Sequence, residues 1–293
     1  MLRRRLGLRL PILAGLAGAG LCAAVLAVGL RLSAPARTAV GPAPADLAGA
    51  EAVAFSSPSG ALLRGWWMPG AAGGGSVVLL HGAWEDRRRM LPRARVLHAE
   101  GFAVLLPDLQ AHGESTGRRI TFGRREGQDA AAALRFVRER VPGERVGVLG
   151  VSLGGAAALL GPEPLAADAM VLESVYPSIE AALGNRLRAR LGPLAARLLA
   201  PVFALLLPPV LGVRSEELRP IERIGAIRAP LLLASGTHDE RTTIAEARAL
   251  FDRAPAPRQF WAVEGAAHED LEGFAPEPYW SRVLPFLLQH LRR

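Results

Sequence analysis

Five consecutive residues, Gly150-Val151-Ser152-Leu153-Gly154, constrain this chain more than any other feature of it. They follow the apolar run Val146–Leu149 and lead into Leu153–Leu160, an Ala- and Leu-rich stretch halted by Gly161-Pro162. A strand can pass into a helix this abruptly only through a tight turn whose flanking side chains are missing, and the two glycines meet that need. The Ser152 hydroxyl is then expected to stand exposed above the strand ends. The backbone N–H of Leu153 is expected to point beside it, near the positive end of the new helix. The alternative is an ordinary glycine-rich turn without chemistry.

The remainder of the chain alternates in the same way. Ala52–Phe55 and Ala61–Met68 flank the turn Ser57-Pro58-Ser59-Gly60, which predicts an antiparallel hairpin. Ser76–Leu80, Ala103–Leu106, Met170–Leu172, Leu231–Ala234 and Phe260–Val263 are short apolar runs of the kind found in buried parallel strands. Helical stretches are expected over Arg87–Glu100 and Arg125–Arg140. Strand and helix in alternation predict an α/β fold, a mainly parallel sheet with helices on both faces. The chain's 293 residues, half of them apolar, suffice for one large domain.

A serine hydroxyl is a poor nucleophile near neutral pH. It needs a base within hydrogen-bond reach, and the base needs an orienting acid. There are six histidines. His98 and His290 fall in helices, His81 in a loop just after a strand, His112 upstream of the serine, and His238 beside Asp239. His268 remains, in Gly265-Ala266-Ala267-His268 beyond the last predicted strand, and is the expected base. Asp239, which follows Leu231–Ala234 through Ser235-Gly236-Thr237-His238, is the expected acid. Glu173, also at a strand end, is its rival, and Asp239 could instead be a turn or helix-capping residue. An oxyanion needs a second donor besides Leu153. The amide of Ala83, in His81-Gly82-Ala83 after a strand, is the candidate; the competing reading is a glycine turn leading to a capping Asp86.

The N-terminus has a different character. Ile12–Leu30 is an unbroken apolar run of nineteen residues, about 28 Å as a helix against a hydrocarbon core of roughly 30 Å. Residues 1–32 therefore read as an uncleaved membrane anchor, or else as a cleaved secretion signal, since Ser33-Ala34-Pro35-Ala36 supplies small residues. Four arginines precede the run (Arg3, Arg4, Arg5, Arg9) and two follow it (Arg31, Arg37). That asymmetry predicts a single-pass arrangement with the N-terminus in the cytoplasm and the catalytic domain outside. Residues 33–49 read as a linker, and 50–293 as the catalytic domain. No acidic residue precedes Asp46, so these six arginines carry most of the net charge of +8. The rest is close to balanced, which excludes a nucleic-acid-binding stripe. The single cysteine, Cys22, allows no intrachain disulfide.

Taken in order, Leu80-His81-Gly82-Ala83, Pro107-Asp108 with His112-Gly113-Glu114-Ser115, the turn around Ser152, Gly236 with Asp239, and Gly265 with His268 resemble the α/β-hydrolase superfamily over roughly Ala50 to Arg293. Within it the chain is similar to the bacterial serine aminopeptidase and monoglyceride-lipase-like branch and to membrane-anchored Bem46-like hydrolases. Asp86-Arg87, Met90, Thr121, Gly123, Glu126 and Asp129 add to that likeness, the last two read as bracing a helix. The resemblance implies an α/β-hydrolase fold, a nucleophile elbow at Ser152, and hydrolysis of an ester, thioester or amide through Ser152, Asp239 and His268, with no metal or organic cofactor. One departure is Arg241-Thr242-Thr243 after the acid, where many relatives carry an apolar residue or proline.

Between two strands lies an insert, about residues 178–220. Ile179, Leu183, Leu187, Leu191, Leu194 and Leu198 recur in it at helical spacing, interleaved with Arg186, Arg188, Arg190 and Arg197. It is expected to be a helical cap over the pocket favouring an apolar acyl substrate; packed helices and a membrane-contacting surface are the other readings. The leading expectation is a serine esterase of carboxylesterase or lipase type acting on a small-molecule acyl substrate. A peptidase or acyltransferase with the same triad, and a membrane-tethered binding protein without catalysis, are the alternatives.

Overall fold

A computed structural model describes residues 2–47 and 49–292; the side chains of residues 2–14, 17 and 207–209 lie outside that description. In chain order, helix α1 (Leu2–Leu32) is followed by a two-residue strand, β1 (Ala36–Arg37), and by the hairpin β2 (Glu51–Ser56) and β3 (Leu62–Met68). Strand β4 (Ser76–Leu80) leads through a 3₁₀ turn at Arg87–Met90 into α2 (Leu91–Ala99). Then come β5 (Ala103–Pro107), the short β6 (His112–Gly113), α3 (Glu126–Arg140), β7 (Val146–Val151), α4 (Leu153–Leu160) and β8 (Ala169–Glu173). The insert is α5 (Ile179–Leu211) with the short α6 (Pro220–Arg223). The chain closes with β9 (Leu231–Gly236), α7 (Ile244–Arg253), β10 (Arg258–Val263), α8 (Leu271–Phe274) and α9 (Pro276–Leu291).

Eight strands form one sheet in the order β10-β9-β8-β7-β4-β5-β3-β2. The six from β10 to β5 are parallel; β3 runs against β5 and β2 against β3. The central strands β4, β5 and β8 are buried on both faces, which is why they read as unbroken apolar runs without alternation. Within β4, Val78 and Leu80 face a core completed by α3 and α4, while Val77 and Leu79 face one completed by α2 and α9. The chain moves from β4 to β5 on one side and later to β7 on the other. The carboxyl ends of β4 and β7 therefore flank the point where strand order reverses, the place where open α/β sheets form their crevice.

Helices α3 and α4 pack through small residues, and α3 is anchored at its start by buried carboxylates. Glu126 accepts from the Thr121 and Gly123 amides (both 2.9 Å) and from the Thr121 hydroxyl (2.6 Å). Asp129 accepts from the Ser57 and Ser59 hydroxyls, each at 2.6 Å, and from the Gln110 amide at 2.8 Å. The two carboxylates thus tie α3 to the hairpin turn and to the loop after β5.

The N-terminal segment is joined to the loops that follow β4 and β5. β1 pairs in parallel with β6, the Arg37 guanidinium donates to the Gly117 carbonyl (3.0 Å), and the Thr38 hydroxyl donates to Asp86 (3.0 Å). The residues expected to form a linker are thus bonded to the body of the protein. α1 itself packs on α5, with Gly29 against the Val210 side chain and Val25 buried. Arg3, Arg4, Arg5 and Arg9, which carry the expected orientation, fall among the undescribed side chains. Among the described residues, the one helical stretch long and apolar enough to cross a membrane is internal, Ile179–Leu206. It is broken at Gly192, which has φ 81° and ψ 169°, so the insert is two helices meeting at a kink.

Candidate active site

Ser152 sits between β7 and α4 with φ 50° and ψ −104°, a conformation that costs a residue with a Cβ free energy and persists only where its surroundings impose it. Two contacts impose it. The Ser152 amide donates to the Glu173 carbonyl of β8 at 2.8 Å. Gly154 lies directly on the Leu80 carbonyl, where any Cβ would overlap it. The first turn of α4 can therefore press against β4, and the hydroxyl is lifted above the sheet.

The expected base and acid arrive on the loops after β10 and β9. The His268 Nε2 is 3.3 Å from the Ser152 Oγ, and its Nδ1 is 2.7 Å from the Asp239 Oδ2. The Asp239 carboxylate is fully buried, while the His268 side chain keeps partial access to solvent. The second oxygen of Asp239 accepts from the Arg241 and Thr242 amides, both at 2.8 Å. The unusual Arg241-Thr242-Thr243 stretch thus closes a turn on the acid. Thr243 with Glu246, and not Asp239, caps the following helix. The two loops touch because Gly236 has no side chain: a Cβ there would overlap the Ala266 carbonyl. Backbone bonds from His238 to the Ala266 carbonyl (2.9 Å) and from Thr237 to the Val263 carbonyl (3.0 Å) hold that contact.

Glu173, the rival acid, is committed elsewhere. It pairs with Arg93 at 2.8 Å and accepts from the Tyr279 hydroxyl at 2.5 Å, beneath the sheet end. His98 and His290 are away from the site on α2 and α9.

His81 and His112 shape the loop after β4. The His81 Nδ1–H donates to the Gly82 carbonyl (2.7 Å), and its Nε2 accepts from the Leu109 amide (3.0 Å). The His112 Nδ1–H donates to the Gln110 carbonyl (2.9 Å), and its Nε2 accepts from the Trp84 amide (3.1 Å). These bonds assign both rings as neutral. Burial pushes both pKa values down, that of His81 to about 3. His112 thereby engages the Trp84 amide, while the Ala83 amide has no partner among the described residues. The Leu153 amide, at the first position of α4, is also without an intrahelical partner.

Two pockets meet at Ser152. One is apolar, walled by Leu32, Phe122, Leu153, Tyr176, Ile179 and Leu183. The other is more polar and contains His268, Ser174, Arg241 and the pairs Glu85–Arg89 and Asp270–Arg93. Arg186 of α5 lines both. Leu32, the last residue of α1, reaches the site because its carbonyl accepts the Trp84 indole N–H at 3.1 Å. Trp84, Ser174 and Leu32 were not singled out by sequence, and nothing local in the chain marks them. Among the described residues no cluster of three or more His, Cys, Asp or Glu side chains forms a metal site.

A family model described as serine aminopeptidase, S33, matches residues 73–214. An uncharacterized protein of Mycobacterium tuberculosis strain H37Rv is 27% identical over 228 residues, spanning 75% of this chain and 73% of its own. The thiohydrolase aneE of Aspergillus aculeatus is 34% identical over 135 residues, 44% of this chain and 42% of its own. Among solved structures, the Pyrococcus furiosus esterase Pf2001 matches with a TM-score of 0.73 at 25% identity, covering 89% of this chain and 98% of that one.

The geometry separates the two candidate acids. Asp239→Asn is expected to lower turnover of a p-nitrophenyl ester by at least about 100-fold with the fold intact. Glu173→Gln is expected to keep turnover within about tenfold while losing about 1–3 kcal/mol in denaturant unfolding, because Arg93 loses a buried partner. The reverse ranking would reassign the acid. Gly236→Ala is expected to lower both activity, by more than about tenfold, and the thermal midpoint, by forcing the acid and base loops apart; a fully active variant would contradict the packing argument.

Proposed function

We propose that this chain, which has the α/β-hydrolase fold, is a serine hydrolase that cleaves an ester or thioester of an apolar acyl group. The observation that carries this reading is the continuous line from the Ser152 Oγ through the His268 ring to the Asp239 carboxylate, beside two unengaged amides. Ser152 attacks the acyl carbonyl as its proton passes to the His268 Nε2. Asp239 stabilises the imidazolium so formed. The amides of Ala83 and Leu153 receive the oxyanion, a donor of this kind being worth about 3 kcal/mol. His268 then returns the proton to the departing oxygen or sulfur, leaving an acyl-enzyme. Water, deprotonated by the same ring, releases the acid and restores Ser152. A serine-to-histidine separation of 3.3 Å is the loose geometry common before substrate binds.

The same chemistry divides the two pockets. The general acid must reach the leaving atom, so the leaving group occupies the pocket that contains His268. The acyl group takes the apolar pocket, which does not. An aminopeptidase would need a free carboxylate to hold a terminal ammonium group. Glu85 and Asp270 are already paired with arginines, and Glu269 accepts the Ala267 amide at 2.9 Å. The ester and thioester reading is therefore preferred.

We place the enzyme at a membrane, tethered by α1 with its N-terminus cytoplasmic and the catalytic domain outside. Cleavage of residues 1–32 would remove Leu32 from the acyl pocket and the acceptor of the Trp84 indole, so the helix is read as retained. On α5, the neighbour of α1, Leu194, Leu198 and Leu205 share one helical stripe and are 72%, 64% and 75% exposed, an apolar face suited to lipid contact.

Wild-type protein should be labelled by a fluorophosphonate probe and Ser152→Ala should not; equal labelling of both would retire the nucleophile. Across p-nitrophenyl esters, butyrate and hexanoate should exceed acetate in kcat/KM. Leu183→Phe, which fills the apolar pocket, should shift the optimum toward acetate, and an unshifted optimum would remove the acyl assignment. The full chain should stay with membranes through alkaline carbonate and leave them in detergent; release by carbonate would refute the anchor.

A further inference from the structure

The leaving-group pocket carries a charge pattern that hydrolysis itself does not use. Four arginines line it, Arg89, Arg93, Arg186 and Arg241, with three carboxylates, Glu85, Glu269 and Asp270. Arg89 pairs with Glu85 at 3.3 Å, and Arg93 with both Glu173 and Asp270 at 2.8 Å. Arg186 and Arg241 pair with no carboxylate among the described residues. Arg186 is half-buried, and its one side-chain hydrogen bond among the described residues runs back to the Ala182 carbonyl of its own helix at 3.0 Å. Burial and the neighbouring Arg241 both push its pKa down, against the pull of the Asp239 carboxylate, which is itself engaged by His268 and by the Arg241 and Thr242 amides.

A second observation falls on the same wall. Ser174 follows β8 with φ 50°, is 2% exposed, and its hydroxyl has no hydrogen-bond partner among the described residues. Buried hydroxyls are nearly always satisfied. Here a donor without an acceptor lines the same pocket as two arginines without an acid.

We propose that Ser174, Arg186 and Arg241 form an anion-recognising subsite, and that the natural substrate is an apolar acyl ester or thioester whose leaving group bears a carboxylate or phosphate. The proposal rests on the hydrolase reading above, because that reading assigns the pocket to the leaving group. Arg186 stands where the apolar and polar pockets join. Its guanidinium can hold an anion close to the bond that breaks, with the planar donor geometry that suits carboxylate and phosphate. The substrate is thus an anionic amphiphile, apolar on the acyl side of Ser152 and negatively charged on the His268 side.

The test uses the full-length protein in neutral detergent at low salt and three butyrate esters: phenyl butyrate, 4-(butyryloxy)benzoate and 4-(butyryloxy)phenyl phosphate. Wild type should favour at least one anionic ester over the neutral one by about tenfold or more in kcat/KM, mainly through KM. The better anionic ester identifies the group as carboxylate or phosphate. In Arg186→Gln that preference should fall at least about tenfold, Arg186→Lys should restore part of it, and Ser174→Ala should lower it several-fold. Hydrolysis of all three esters without an anionic preference, or a preference unchanged in Arg186→Gln, overturns the subsite and leaves the hydrolase standing. No turnover of any ester, together with no fluorophosphonate labelling, overturns the hydrolase and the subsite together.

Discussion

Everything at this site depends on how closely the first turn of α4 lies against β4. Gly154 rests on the Leu80 carbonyl with no room for a side-chain carbon. That contact, with the bond from the Ser152 amide to the Glu173 carbonyl, holds Ser152 at φ 50° and its hydroxyl clear of the sheet. Leu153 and Ala83 follow the ends of β7 and β4, neighbouring strands in the sheet. Strand order reverses there, so the crevice is a consequence of topology, and the chemistry occupies a gap that the fold leaves open.

Around that contact lies a polar scaffold that holds the loops in place. His81 and His112 are buried as neutral rings, each donating through one nitrogen and accepting through the other, and together they fix the loop that presents Ala83 and Trp84. On the opposite side Arg93, Glu173, Tyr279 and Asp270 form a connected network beneath the strand ends. Buried charges and rings of this kind are tolerable only when every partner is supplied. Satisfying them all at once fixes the loops with little freedom, which suits a site whose reacting atoms must stay within a few tenths of an ångström.

Much of this was legible in the chain. Leu153–Leu160 emerges as the helix expected, and the central strands agree to within a residue or two, because a buried parallel strand leaves an unbroken apolar run and a glycine turn ends it. Ser152, Asp239 and His268 could be singled out as candidates because such chemistry looks for those residue types just beyond strand ends, and the fold brings the three side chains together. Other parts follow from contacts far apart in sequence. β1 exists only through its pairing with β6, and no local pattern announces a two-residue strand. The kink at Gly192 was hidden inside a continuous leucine periodicity. Helix α7 carries a signal local to the chain, the capping pair Thr243 and Glu246. Arg186 looked like one arginine among four on a helix; only the arrangement in space sets it apart.

The central claim is that Ser152 becomes acylated during turnover. It is tested most directly by mixing the full-length protein with a slowly hydrolysed hexanoyl ester, quenching in acid during steady-state turnover, and mapping the adduct by peptide mass spectrometry. The account predicts one acyl group per chain, on the peptide containing Ser152 and lost as the substrate is exhausted. Steady turnover with no adduct, or with the acyl group on another residue, would contradict it.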